Sequence, residues 1–156
     1  MIYDVDIVAV PEQAVLSLRG RGPLGEIGQR MARLRELAAQ AGLAPAGPPA
    51  ARFYADEEGP EPDYDVCLPV TPQPDGSVPD RIEEARGELI PLHHVLQATH
   101  MGPHSAMQDA WRAVREAGGA LGYTQSGPLT EVYITGAASG TDPASYVTLV
   151  RLPYAR

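Results

Sequence analysis

Glu131 and Tyr133 stand two residues apart in the segment GPLTEVYITG (127–136), the spacing that sends two side chains to one face of a strand. A carboxylate set among aromatic rings suits a lipophilic cation, because the rings supply cation–π attraction and apolar burial while the acid supplies charge. Tyr64, Tyr146 and Tyr154 fall on neighbouring predicted strands and can add to such a lining. Trp111 lies on an apolar helical stripe with Met107 and Val114, which reads first as core, although a ring of that size can also floor a groove. The plain alternative for Glu131 is an ordinary exposed strand residue.

Other reactive residue types carry weaker signals. His93 and His94 are adjacent on a predicted strand and so face opposite ways, and His100 and His104 are separated by a Gly-Pro turn that denies them helical i,i+4 geometry. No metal site is expected. Ser105, in GPHSAM, lacks the G-x-S-x-G elbow of a nucleophilic serine. Cys67 has no activating neighbour in the sequence and reads as a passive thiol. Asp56 to Asp65 holds six acids in ten residues, which reads as a solvated loop, with attraction of a cationic ligand or a basic protein partner as the functional alternative.

Composition narrows the classes further. All 12 basic residues are Arg, against 20 acids, for a net charge of −8. A nucleic-acid partner is therefore not expected, since a polyanion needs a basic face. With no Lys and no Asn, Schiff-base chemistry, phosphate binding through a P-loop Lys and a Cys-His-Asn triad are excluded. One cysteine, no basic leader and no apolar run of spanning length predict a soluble cytoplasmic protein without a membrane partner.

The elements that must position these residues come in two copies. Sliding the chain by 80 residues aligns 11–48 with 91–128 without a gap, and ten positions match where chance gives roughly three. The matches include Pro11/Pro91, Val15/Val95, Leu16/Leu96, Gly22/Gly102, Pro23/Pro103, Gly42/Gly122 and Gly47/Gly127. A shift of 84 aligns Val66-Cys67-Leu68-Pro69 with Val150-Arg151-Leu152-Pro153. Each copy reads as βαββ. A strand bent at proline (Ile7 to Arg19, Leu89 to Thr99) leads through Gly-Pro to a helix closed by Gly42 or Gly122. Two strands follow: Arg52 to Ala55 and Tyr64 to Val70 in the first copy, Thr130 to Thr135 and Tyr146 to Leu152 in the second.

The expected architecture is α+β, a single domain over 1–156 made of repeats 4–70 and 87–156 joined by a Pro-rich linker, 71–86. Two such units pack as a pseudo-twofold antiparallel sheet with both helices on one face and a concave groove on the other. With Val132 and Ile134 placed under the helix, Glu131 and Tyr133 fall on the open face, and Ala51 and Phe53 are their first-copy equivalents. The groove is then asymmetric, with an aromatic on each side and a carboxylate on one.

VLSLRGRGPLGEIGQ, VLQATHMGPHSAMQDAW, YDVCLPV and GPLTEVYITG, in this order and duplicated, resemble the GyrI-like small-molecule-binding family over nearly the whole chain. That family includes effector-binding domains of multidrug-responsive regulators, stand-alone gyrase-inhibitor-type proteins and relatives of the SOUL haem-binding fold. The resemblance implies a pseudo-twofold groove with a central acid at Glu131 and aromatic walls at Tyr133 and Tyr146. It also implies a stand-alone binder of small organic molecules, since the sequence leaves no room for a helix-turn-helix module. Some family members hydrolyse strained electrophiles such as cyclopropane-bearing genotoxins, with the acid and a nearby phenol activating water. A Glu partly buried among rings has its pKa raised, which suits acid–base work near neutrality. A third implied role is a gyrase-inhibitor-type protein contact through the 56–65 loop. No cofactor is expected, and nothing in the sequence supplies a haem pocket.

Overall fold

Proline divides both of the long strands expected from the sequence, because it removes the amide donor that a continuing ladder needs. The segment expected as one bent strand from Ile7 to Arg19 is two strands, β1 (Asp6–Val10) and β2 (Gln13–Arg21). Its second-copy counterpart is β6 (Ala85–Ile90) and β7 (His93–Met101). The computed structural model describes residues 3–54, 63–135 and 143–155. The two halves of each divided strand belong to different compact units: one is Pro11–Leu92, the other Met1–Val10 with His93–Arg156.

In the continuous unit the antiparallel order is β3 (Ala50–Phe53), β4 (Asp63–Pro69), β2, β6, β5 (Arg81–Ile82). Helix α1 (Ile27–Gln40) buries Met31, Leu34, Leu37 and Ala38. The covered face of the sheet carries Leu16, Leu18 and Gly20 on β2, opposite Leu68, Val66 and Tyr64 on β4. A side chain at Gly20 would collide with Arg30 of α1 and the Tyr64 ring, which identifies this as the helix-bearing face.

The composite unit runs β1, β7, β10 (Val147–Ala155), β9 (Leu129–Thr135), with β8 (Thr124–Gln125) against the end of β10. Helix α2 (Gln108–Leu121) buries Ala110, Trp111, Val114 and Gly118. A methyl group at Gly118 would lie 3.3 Å from Leu96 and 3.7 Å from Leu152, so those residues mark the face beneath α2.

The duplication is visible in backbone detail. Gly22 and Gly102 take φ of 106° and 123°, and Gly42 and Gly122 take 71° and 73°. The last pair are left-handed helix terminators, where glycine carries no Cβ penalty. Ala46 N–H bonds Pro69 O as Ser126 N–H bonds Pro153 O, which fixes the 84-residue register of the last strands. Each Gly-Pro opens a turn of 3-10 helix, 24–26 or 104–106, before the α-helix begins. The stretch expected as a linker, 71–86, contains β5 and the start of β6, and Gly87 lies so close to Pro79 O that no Cβ fits there. Most of the expected acidic loop, 56–62, lies outside the described residues.

Candidate functional site

Residues opposite one another in an antiparallel pair share a face. Glu131 stands opposite Val150, Tyr133 opposite Thr148, and Thr148 in turn opposite His100 on β7. Val150 pairs with Ala98 and Leu152 with Leu96, so this whole row lies on the face that carries α2. The expectation that Val132 and Ile134 would lie under the helix is therefore reversed for this strand. Val132 stands opposite Leu149 on the other face. Alternation sorts residues into two sets, but apolar residues occur in both, and Leu129, fully buried, belongs with Glu131 and Tyr133. The register shifts between Val147 and Thr148, leaving Ile134 as an extra residue, 46% exposed, immediately after Tyr133. Such bulges bend a strand and re-aim the neighbouring side chains.

Glu131 is only 5% exposed, and the Tyr133 hydroxyl donates to its Oε1 at 2.7 Å. His104, in the 3-10 turn that precedes α2, places its ring 5.3 Å from both Tyr133 and Tyr146. Burial, followed by the nearby His100, lowers the His104 pKa below 6.5, which favours an uncharged ring against the two phenols. His100, fully buried, holds this turn in place. Pro103 O can only accept, so His100 Nε2 donates to it at 3.0 Å, and Nδ1 accepts from the Tyr3 hydroxyl at 2.8 Å. Thr148, 0% exposed, lies in the row between His100 and Tyr133, and among the described residues its Oγ1 has no hydrogen-bond partner.

Other expected site residues fall elsewhere. Tyr154 stacks on Tyr123 at 4.4 Å, four residues along β10 from the Glu131 row, which is roughly 13 Å at strand rise. Trp111 is buried on the inward side of α2. Ala51, Phe53 and Tyr64 belong to the continuous unit, where Ala51 faces Val66 and Phe53 faces Tyr64, as Glu131 faces Val150 and Tyr133 faces Thr148. There the space is filled: Tyr64 is fully buried, lies 6.3 Å from the Phe53 ring, and accepts from Arg30 Nε at 3.0 Å. The same position in the duplicated scaffold is thus plugged by a tyrosine in one unit and carries a carboxylate–phenol pair in the other.

Sequence reasoning missed His104, read as an ordinary histidine, and Thr148. The cross-strand register brings Thr148 beside Tyr133, and the 3-10 turn after β7 brings His104 there. It also missed a buried ion pair on the opposite face of the continuous unit, where Arg52 makes a two-pronged contact to Asp65 at 2.8 and 2.7 Å. Tyr54 donates to the same carboxylate at 2.8 Å, and Cys67 lies 3.4 Å from it. Burial, then Asp65, pushes the Cys67 thiol pKa up, so it is a protonated, inert group. Among the described residues no cluster of three or more His, Cys, Asp or Glu is placed to hold a metal ion, and no helix is long and apolar enough to cross a membrane.

A family model for the GyrI-like small molecule binding domain matches residues 3–155. No curated protein matches the chain. The C-terminal domain of EcmrR is 20% identical, with a TM-score of 0.81 over 100% of this chain and 99% of that one. In the EcmrR–DNA complex the match has a TM-score of 0.87 at 19% identity, and this chain spans only 58% of that longer one. A hydrolase from Listeria innocua is 17% identical, TM-score 0.71, over 97% of this chain and 91% of that one. SAV2435, solved bound to tetraphenylphosphonium, is 14% identical, TM-score 0.58, over 99% and 94%. At these identities the likeness is one of fold.

Proposed function

The chain belongs to the GyrI-like small-molecule-binding domain family, and on that premise we propose that it binds lipophilic organic cations at Glu131. The observation that carries this reading is the buried carboxylate of Glu131 beside Tyr133, with His104 and Tyr146 continuing the aromatic surface. A carboxylate set among aromatic rings supplies the charge that a lipophilic cation recognises. Aromatic faces add cation–π attraction and exclude ligands that present only polar surface. The likeness to SAV2435, solved with a lipophilic cation, supports the same ligand class.

The test is calorimetric titration with tetraphenylphosphonium and with neutral triphenylphosphine oxide, on the native chain and on Glu131→Gln. Loss of a charge-assisted contact predicts cation affinity lower by about 10- to 100-fold, with the neutral compound changed by less than about threefold. Equal losses for both compounds would overturn the reading, as would unchanged cation affinity.

A second reading is favoured by the 2.7 Å Tyr133–Glu131 contact and by the hydrolase among the similar structures. Glu131 would take a proton from water as its oxygen attacks a strained, electrophilic carbon, and that proton would pass to the carbon released by ring opening. A product heavier by one water, formed by the native chain and not by Glu131→Gln, distinguishes turnover from binding.

A further inference from the structure

In the continuous unit an open depression of about 470 Å³ is lined by Arg19, Gly20, Arg21, Arg30 and Asp63. We propose that it is a second ligand site, specific for compact dianions such as a phosphate group or a small dicarboxylate. Three of its five lining residues are arginines, in a chain whose net charge is −8. With Asp63 and the Glu26 partner of Arg30 counted against them, three minus two leaves the depression at +1 before any ligand enters.

Two of the arginines are held in position by neighbours and still keep donors. Arg19 directs Nε and one terminal nitrogen to Asp63, at 3.0 and 2.7 Å, and its plane lies 4.2 Å over the Tyr54 ring. Arg30 directs Nε to the Tyr64 hydroxyl at 3.0 Å and one terminal nitrogen to Glu26 at 3.3 Å. Each retains its other terminal nitrogen, and among the described residues Arg21 makes no ion pair or side-chain hydrogen bond. Gly20 makes the arrangement possible, since a Cβ there would sit 2.7 Å from Arg30 Nε. Pre-placed planar donors of this kind match the oxygens of phosphate and carboxylate, and among the described residues no apolar side chain lines the depression to favour a hydrophobic ligand.

The duplication provides an internal control. The positions equivalent to Arg19, Arg21 and Arg30 in the composite unit are Thr99, Met101 and Ala110, and Asp63 is matched by Val147. The scaffold therefore folds without arginine at any of these places. Arg19 and Arg30 also serve packing in their own unit, through Asp63 and Tyr54 and through Tyr64, whereas Arg21 has no such role and is the member that ligand recognition accounts for.

The test is an NMR titration of the full chain with inorganic phosphate and, separately, succinate, at constant low ionic strength with chloride as the balancing ion. Saturable shifts confined to residues 19–21 and 30 are expected. Arg21→Gln, which breaks no ion pair or side-chain hydrogen bond among the described residues, should weaken binding by at least about fivefold, and Arg21→Lys should recover only part of it. Saturation by phosphate alone identifies a tetrahedral oxyanion site, and saturation by both identifies a general dianion site. Glu131→Gln should leave the affinity unchanged. Shifts that stay linear for both anions, or an affinity equal in Arg21→Gln, would overturn the proposal.

Discussion

At the scale of single residues, the aromatic and acidic members of the Glu131 site make separable contributions. If the Tyr133 ring is a cation surface, Tyr133→Phe keeps it and should leave tetraphenylphosphonium affinity within about threefold, while Tyr133→Ala should cost about tenfold or more. If the phenol takes part in turnover, Tyr133→Phe should instead reduce the rate by about 100-fold with little change in binding. Side-by-side calorimetry and product analysis of the two variants decides between these. His104 makes a different prediction, about stability. Its folded pKa lies below 6.5, so between that value and 6.5 the unfolded chain takes up a proton that the folded chain refuses. The contribution of His104 is therefore complete above pH 6.5 and is lost as pH falls through this window. Urea midpoints measured from pH 5 to 8 should show a shallower slope in His104→Gln than in the native chain. Identical slopes would mean that His104 is not desolvated against the two phenols.

At the scale of elements, the paired glycines can be tested against each other. Gly42 and Gly122 both end helices at φ near 70°, and among the described residues neither has a heavy atom beyond its chain neighbours within 4 Å of where a Cβ would stand. Alanine at either position carries only the conformational cost, so Gly42→Ala and Gly122→Ala should each lose about 1 kcal/mol, equal to within a few tenths. Gly87→Ala is a steric case, because its Cβ would meet the carbonyl of Pro79, and it should cost about 1–3 kcal/mol or more in a denaturant midpoint. These elements also show what the sequence could and could not reveal. Gly22/Gly102, Gly42/Gly122 and the Pro69/Pro153 register were legible because backbone geometry dictates the residue. The hairpin within 71–86 was not: its Pro and charged residues look like a linker, and its ordering depends on β6 pairing with β2 and on Arg33 of α1 bonding Glu83 and Glu84. The side of β9 that faces α2 was equally hidden, since Leu129 and Val132 are both buried on opposite faces.

At the scale of the whole molecule, the repeat seen in the sequence and the unit seen in the fold have different boundaries. The repeats run 4–70 and 87–156, whereas the units are Pro11–Leu92 and Met1–Val10 with His93–Arg156. A fragment cut as 4–70 keeps β1 without β7, its pairing partner, and loses β6, which covers Gln13–Ser17 of β2. A fragment cut as 11–92 keeps every described pairing of its unit, including β5 with β6 and Arg33 with Glu83 and Glu84. Unpaired edge amides and a half-covered helix face each cost stability, so the two fragments should behave differently although they share most residues. The 11–92 fragment should unfold in urea with a cooperative transition, and 4–70 should show none. Residues 93–156 should need residues 3–10, joined covalently in a permuted order, before they fold, because β7 otherwise loses five cross-strand partners from Asp6 to Val10. A cooperative 4–70 fragment beside a disordered 11–92 would show that the sequence repeat, and not the strand-exchanged unit, is what holds itself together.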